Sequence, residues 1–432
     1  MQRTRTQIQI KEVAAFKTQL LYWAQQFDTA VWLDSNEHTE QYGQFDALLA
    51  VDELSAIKTG ASQAFDTLKH YQSKTKDYLF GYMSYDLKND IEPLQSANFD
   101  ALEFPELYFF QPKKIFVIRG HELTVEYALA YAHEIPVDLA AIEALTTMQE
   151  PKGAPLDIHF RMDRSVYLNK VNTLLKHLQR GDLYEANFCQ EFYSSGTTIN
   201  PVATFQQLNQ LSRTPFASFL KLQERYLLCA SPERYLKKEG ATVISQPIKG
   251  TERRSNNAET DALLARHLAK NPKECAENIM IVDLVRNDLS RIAESGSVKV
   301  EELCGVYTFE QVHQLISTVS CKVCPETHPV DIIRNTFPMG SMTGAPKISA
   351  MKIIETQELT KRGLYSGAVG YFTPKGDFDF NVVIRSLLYN AAKQYISFSV
   401  GGAITAQSIP EKEYEECLLK AQAIKTVLLD RN

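Results

Sequence analysis

Arg164-Ser-Val-Tyr-Leu-Asn-Lys-Val-Asn-Thr-Leu-Leu-Lys-His-Leu-Gln-Arg180, closed by Gly181 and followed by Tyr184-Glu-Ala-Asn-Phe-Cys-Gln-Glu-Phe192, sets the fold class. Val166, Leu168, Val171, Leu174, Leu175 and Leu178 recur at helical spacing, and the glycine ends the helix. The segment after it reads as a strand. Further strands are expected at Tyr226 to Ala230, Ala368 to Phe372, Phe380 to Leu387 and Tyr395 to Val400. Helices fit Pro272 to Ile292, Pro346 to Glu355 and Pro410 to Leu429. Because strands and helices do not alternate strictly, the pattern argues for α+β and against a simple parallel doubly wound sheet.

Working outward, a chain of 432 residues exceeds the size at which one compact core usually stops growing, so two subregions are expected. Residues 1–150 mix a helical stretch, Phe45 to Leu68, with short apolar runs read as strands, Tyr108-Phe-Phe110 and Lys114-Ile-Phe-Val-Ile118. Met148-Gln-Glu-Pro-Lys-Gly-Ala-Pro155 gathers two prolines and a glycine and is the linker between an N-terminal region, 1–150, and a second region, 156–430.

The net charge of −6, from 46 basic and 52 acidic residues with no basic run, excludes the electrostatic footprint of a nucleic-acid binder. No apolar run reaches membrane-spanning length, and the first residues carry no apolar signal core, so no membrane association is expected. Seven scattered cysteines fit reduced thiols in a cytoplasmic protein. Cys321-Lys-Val-Cys324 lacks a second pair or clustered histidines, and reads as buried or edge-strand cysteines, not a zinc site.

Several segments carry chemistry in outline. Glu274 and Glu277 lie three residues apart on one helix face, as do Glu413 and Glu416 on the last helix, which Ser408-Ile-Pro-Glu411 opens with capping-box spacing. Spacing alone makes these solvated faces; carboxylates on two helices are also what a Mg²⁺ site with open positions requires. Gly340-Ser-Met-Thr-Gly-Ala-Pro-Lys347 runs into a helix whose first N–H groups should point outward, though its glycine-to-lysine spacing is not that of a phosphate loop. Arg385 is a single cation closing an apolar strand, either a structural charge or a fork for a carboxylate. Lys249, in Ser245-Gln-Pro-Ile-Lys-Gly-Thr251, would ordinarily be a solvated surface charge.

Together, Pro247-Ile-Lys-Gly-Thr251, Glu277-Asn-Ile-Met-Ile-Val-Asp-Leu-Val-Arg-Asn-Asp288, the Gly340–Lys347 segment, Arg362-Gly-Leu-Tyr-Ser-Gly367 and Glu413-Tyr-Glu-Glu-Cys-Leu-Leu-Lys420 resemble the chorismate-utilising enzymes of the anthranilate synthase component I family. The match is strong from about Asp157 onward; upstream it rests on Trp32-Leu-Asp-Ser35, similar to a tryptophan-pocket segment, and Gly81-Tyr-Met-Ser-Tyr-Asp86. The lysine form of the Pro-Ile-Lys-Gly-Thr motif resembles the aminodeoxychorismate synthase component I branch, which serves para-aminobenzoate and folate synthesis; the anthranilate branch usually carries alanine there. The resemblance implies a large α/β sandwich of two packed, mainly antiparallel sheets with outer helices. It implies Mg²⁺ held by Glu277 and Glu416 with Glu274 and Glu413 beside them. Thr251, Tyr365, Arg385, the backbone at Gly401 and Gly402, and Lys420 would grip the dicarboxylate chorismate. Lys249 would attack C2 with loss of the C4 hydroxyl, Glu233 would assist that departure as an acid, and ammonia would enter at C4. A nucleophilic lysine needs a lowered pKa, from burial or from Arg253 and Arg254. No Gly-x-Cys-Leu-Gly segment is present, which implies ammonia from a separate glutaminase subunit.

Three positions depart from the family pattern. Glu185 stands where such synthases commonly have glutamine, and reads either as a second proton-transfer group or as a hydrogen-bond acceptor. Gln314 stands where histidine is common, with His313 on the opposite strand face. Ala403 replaces a third glycine after Gly401 and Gly402, which would cost more were its backbone left-handed. Anthranilate synthase component I is the competing reading, and a catalytically inactive dicarboxylate-binding partner a more distant one.

Overall fold

The computed structural model describes residues 2–38, 41–146, 155–310 and 312–429. Its strands form one continuous hydrogen-bonded network that folds over on itself into two layers, because two long strands, Ala47–Thr59 and Leu107–Arg119, run through both. Their pairing slips register between Glu53 and Ser55, opposite Pro112, and Asp52 adopts a left-handed φ of 62°. Such a bulge bends and twists the strands that carry it.

On one side of the bend the layer runs, strand beside strand, through Arg3–Gln9, Glu122–Ala128, the two long strands, Thr29–Asp34, Phe216–Leu222, Arg225–Ser231, Ser386–Asn390, Tyr395–Thr405 and Glu185–Ser195. On the other it continues from Leu107–Arg119 through Leu79–Met83, Ala368–Phe372, Phe378–Asn381, Arg234–Glu239, Thr242–Gln246 and Val312–Lys322, whose edges take Ile248–Arg253 and Lys299–Thr308. All these pairings are antiparallel, so the expected two-sheet sandwich with outer helices is the observed architecture. Strands from both halves of the chain pair directly, as Thr29–Asp34 does with Phe216–Leu222. Residues 148–154 of the expected linker lie outside the described residues.

Strand Thr29–Asp34 shows how the layers are glued. Val31 and Leu33 belong to the core that includes Phe80, Phe109 and Phe380, whereas Ala30 and Trp32 join Phe205, Leu174 and Ile424 of the flanking helices. Both faces are therefore buried, which also explains where the sequence reading of Phe45 to Leu68 fails. Ala47–Val51 is buried without a break, Leu48 and Ala50 facing one core and Ala47, Leu49 and Val51 the other. A strand covered on both faces loses its alternation, and tertiary burial overrides helix-forming residue types. The helix begins only at Ala64 and runs to Thr75. The two apolar runs expected as separate strands are halves of Leu107–Arg119.

The helix Arg164–Arg180 forms as expected, with the Asp163 carboxylate accepting from Val166 N–H and Gly181 closing it at φ 79°. Pro410–Leu429 matches to the residue. The expected strand Phe380 to Leu387 is broken: Phe378–Asn381 and Ser386–Asn390 are separate strands, and Arg385 lies in the break with a left-handed φ of 50°. Cys321 is buried and Cys324 exposed, both free thiols. Among the described residues no helix is long and apolar enough to cross a membrane.

Candidate active site

Lys249 owes its position to a bulge. The pairing of Ile248–Arg253 with Val312–Lys322 slips between Ile248 and Thr251, and Gly250 takes φ 99°. A Cβ at Gly250 would also press on Leu315 at 3.0 Å and on Glu274 Cβ at 3.3 Å, so glycine is required there on both counts. Asn278, buried in the helix Pro272–Ser290, pins the bulge: its Nδ2 donates to the Lys249 carbonyl at 3.0 Å and to the Leu315 carbonyl at 3.2 Å, while its Oδ1 accepts from Ser317 Oγ at 2.5 Å. The sequence reading missed Asn278. Its signal was a poor helix former in mid-helix, where a polar side chain needs a partner outside the helix.

The bulge aims the lysine into a nest of carboxylates. Lys249 Nζ lies 3.8 Å from Glu185 Oε1 and 3.7 Å from Glu277 Oε2. Burial by itself favours the neutral amine, but Glu185, Glu277, Glu416 and Glu274 outweigh it and hold the pKa above the usual lysine value. This corrects the expectation of a lowered pKa. Arg254 is committed to Asp261 at 2.9 Å and to the Phe309 carbonyl, and Arg253 is exposed, so neither acts on Lys249 as the sequence reading supposed.

Glu185, the first residue of its strand, is 2% exposed. Burial raises its pKa, opposed by Lys249 and reinforced by Glu277, and its Oε2 has no hydrogen-bond partner among the described residues. A buried orphan carboxylate oxygen is costly and calls for a functional account. Glu233 is also buried; its Oε1 accepts from Ser341 Oγ at 2.6 Å. Desolvation pushes it up to about 7, against the stabilising Ser341 hydroxyl, the Lys249 charge, the Ile248 N–H and Arg385. The Arg385 guanidinium makes no hydrogen bond or ion pair among the described residues; burial lowers its pKa and Glu233 opposes that. An unpaired guanidinium beside a half-protonated acid is a ready receptor for a carboxylate.

The second helix supplies the opposite wall. Glu416 pairs with Lys420 at 2.7 Å, which together with Lys249 and Lys273 keeps its pKa low despite partial burial. Burial raises Glu274 and Glu413, and in each case a neighbouring carboxylate adds to the effect: Glu277 for Glu274, Glu416 for Glu413. Glu416 thus acts on Glu274 across the two helices as well as on Glu413, yet among the described residues no three His, Cys, Asp or Glu side chains close into a ligand cluster. Hard oxygen donors in an open array suit a divalent cation that keeps water or substrate in its other positions. Ser408, expected to cap this helix, accepts from Thr405 N–H and bonds the Glu413 side chain.

The remaining expected residues divide. Lys420 Nζ donates to the Gly401 carbonyl at 3.3 Å. A Cβ at Gly401 would strike Cys189 Sγ and Asn187 Oδ1, so this glycine serves strand packing. At Gly402 a Cβ would approach Glu413 Oε2 at 3.6 Å, which places its backbone on the carboxylate side. Ala403 continues the extended strand without a left-handed φ, so the feared cost does not arise. Thr251 is exposed at the rim, its Oγ1 accepting from Gln314 Nε2 at 3.4 Å, while His313 faces away to Asp261 and Thr308. Tyr365 is buried behind the strand, its hydroxyl 3.9 Å from Cys189 Sγ. Lys347 is no anion receptor: its ammonium is buried against Asp288 at 2.7 Å and the carbonyls of Thr336 and Pro338, which locks the start of helix Lys347–Gln357.

The chain is similar to aminodeoxychorismate synthase component 1 of Salmonella typhimurium, 32% identical over 426 residues that cover 91% of this chain and 92% of that one. It is also similar to anthranilate synthase component 1 of Thermus thermophilus, 35% identical over 354 residues, 80% of this chain and 76% of the other. Among solved structures, anthranilate synthase component I from Streptococcus pneumoniae superposes with a TM-score of 0.77 at 26% identity, covering 90% of this chain and 94% of that chain. The profile of the chorismate binding enzymes matches residues 16–426, and the chain belongs to that family.

Proposed function

We propose that this chain converts chorismate and ammonia to 4-amino-4-deoxychorismate. The observation that carries the reading is Lys249 Nζ, aimed by the Gly250 bulge between Glu185 and Glu277 with the acid Glu233 nearby. Glu185, with its raised pKa and free oxygen, takes a proton from the ammonium to expose the amine lone pair. The amine then forms a bond to C2, the ring double bonds shift, and the C4–O bond breaks. Glu233 gives its proton to the departing hydroxyl, which leaves as water. Ammonia forms the new bond at C4 while the C2–N bond breaks; its surplus proton restores Glu233, and Glu185 returns its proton to the released lysine. Arg385 and Lys420 hold the substrate carboxylates.

The proposal includes Mg²⁺, held by Glu277 and Glu416 with Glu274 and Glu413 beside them. When bound, it would make a substrate carboxylate a better electron sink. Ammonia would come from a separate glutaminase subunit. Burial raises the thiol pKa of Cys189, Cys229, Cys304, Cys321 and Cys417, and Cys324 is raised by its hydrogen bond to Glu326, so these thiols lack the thiolate character that glutamine hydrolysis demands. The similarity to an anthranilate synthase component keeps a second reading, amination at C2 followed by pyruvate loss, in view; Lys249 opposes it.

The test is turnover with chorismate, a magnesium salt and an ammonium salt, the product identified by mass and chromatography. Aminodeoxychorismate is expected, and glutamine in place of ammonium should give none without an added glutaminase. Anthranilate as the main product would overturn the proposal.

A further inference from the structure

Beside Glu233 lies a small pocket lined by Glu233, Ser341, Ser245, Thr336, Val285 and Asp288 among others. Its volume of about 10 Å³ is room for one water molecule. The polar groups around it are unequally served. Ser245 Oγ donates to the Tyr235 carbonyl, and Thr336 Oγ1 is engaged by Tyr235 and by the Ile332 and Ile333 carbonyls. Asp288 is 4% exposed; its Oδ2 accepts from Lys347, but its Oδ1 has no partner among the described residues. Ser341 spends its only hydroxyl proton on Glu233, so its oxygen is free to accept.

An acceptor at Asp288 and a second at Ser341, around a space for one molecule, specify a donor with two hydrogens. We propose that the cavity binds one structural water that donates to Asp288 Oδ1 and to Ser341 Oγ, making Asp288 a positioning residue for Glu233. A water donating to Ser341 polarises the hydroxyl that Ser341 presents to Glu233, and so strengthens a hydrogen bond that favours the ionised carboxylate. Glu233 is then held near neutrality from two sides: desolvation pushes its pKa up, and the Asp288–water–Ser341 chain restrains it. The charged groups that bear on Glu233 are Lys249 and Arg385, and those on the Asp288–Lys347 pair are Arg291 and Glu92.

The inference rests on Glu233 being the acid of the proposed reaction, but its test does not use turnover. The titration midpoint of Glu233 is followed through its carboxyl C=O infrared band, assigned by difference against Glu233→Gln. Val285→Ile adds one methyl group to the cavity wall and should expel the water, raising the midpoint by about one pH unit. In a Ser341→Ala background, where the chain is already cut, Val285→Ile should shift it no further. A midpoint that does not move, or that moves equally in both backgrounds, overturns the proposal. Ordered density for one water between Asp288 and Ser341 in high-resolution crystals of the unmodified protein is the second expected result; a dry cavity refutes it whatever the variants do. Should Glu233→Gln keep full activity, the assignment of the acid fails while the water and its coupling stand or fall separately.

Discussion

Lys249 Nζ lies 3.8 Å from Glu185 Oε1, and the other oxygen of that buried carboxylate has no hydrogen-bond partner among the described residues. The pair stabilises the ammonium, which is the unreactive form, while burial raises the carboxylate's pKa toward that of a useful base. This chain therefore places a proton acceptor against its candidate nucleophile.

Glu185→Gln removes that acceptor without changing shape. The expected result is a fall in kcat of about 100-fold or more, the usual scale for a lost general base, with KM for chorismate little changed. Steady-state kinetics decide; an unaltered kcat would reduce Glu185 to a hydrogen-bonding residue.

Lys249→Ala should slow aminodeoxychorismate formation severely, because ammonia must then displace the hydroxyl without the covalent step that divides the barrier. Fold and chorismate affinity should change little, since Glu185, whose pKa burial already raises, can take up a proton once the ammonium is gone. Mass spectrometry of the peptide containing Lys249 should show a chorismate-derived adduct during turnover of the unmodified protein. Unchanged product formation by the variant would remove the nucleophile role.

For the metal, Glu277→Gln or Glu416→Gln should abolish turnover, and excess chelator should do the same reversibly on addition of Mg²⁺. Thermal melting should move by no more than a few degrees, because the ion pairs lost are long or exposed: Glu277 with Lys249 and Lys273 at 3.7 Å, and Glu416 with the half-exposed Lys420. Full activity in chelator would sink the metal assignment.

The pH profile reports on Glu233. Its folded pKa is raised to about 7, so the acid form needed for the departing hydroxyl disappears as pH rises through 7, and kcat/KM should fall along that limb. The sign for stability is the same: the native state retains a proton that the unfolded chain releases at its ordinary value, so this contribution is present at low pH and is lost as pH rises through about 7. Chemical denaturation at pH 6 and pH 8 should show that slope in the unmodified protein and a shallower one in Glu233→Gln.

Much of this was legible in the sequence, because it depends on local chemistry. The helical repeat that ends at Gly181, the proline that opens Pro410–Leu429, and the carboxylates three residues apart follow from period and capping alone. Only the tertiary structure decided the rest. Within Phe45 to Leu68, Ala47–Thr59 is strand instead of helix because Ala47–Val51 is buried on both faces, which no local pattern encodes, while the helix holds only from Ala64. Arg385 left its expected strand for a left-handed break beside Glu233. Lys249 was recognisable as a residue but not as a charge state: its pKa is set by Glu185, Glu277, Glu416 and Glu274, drawn from one strand and two helices far apart in the chain. Residue identity and period are properties of the chain, whereas burial and the electrostatic field at a side chain are sums over neighbours that exist only once the sheets have closed.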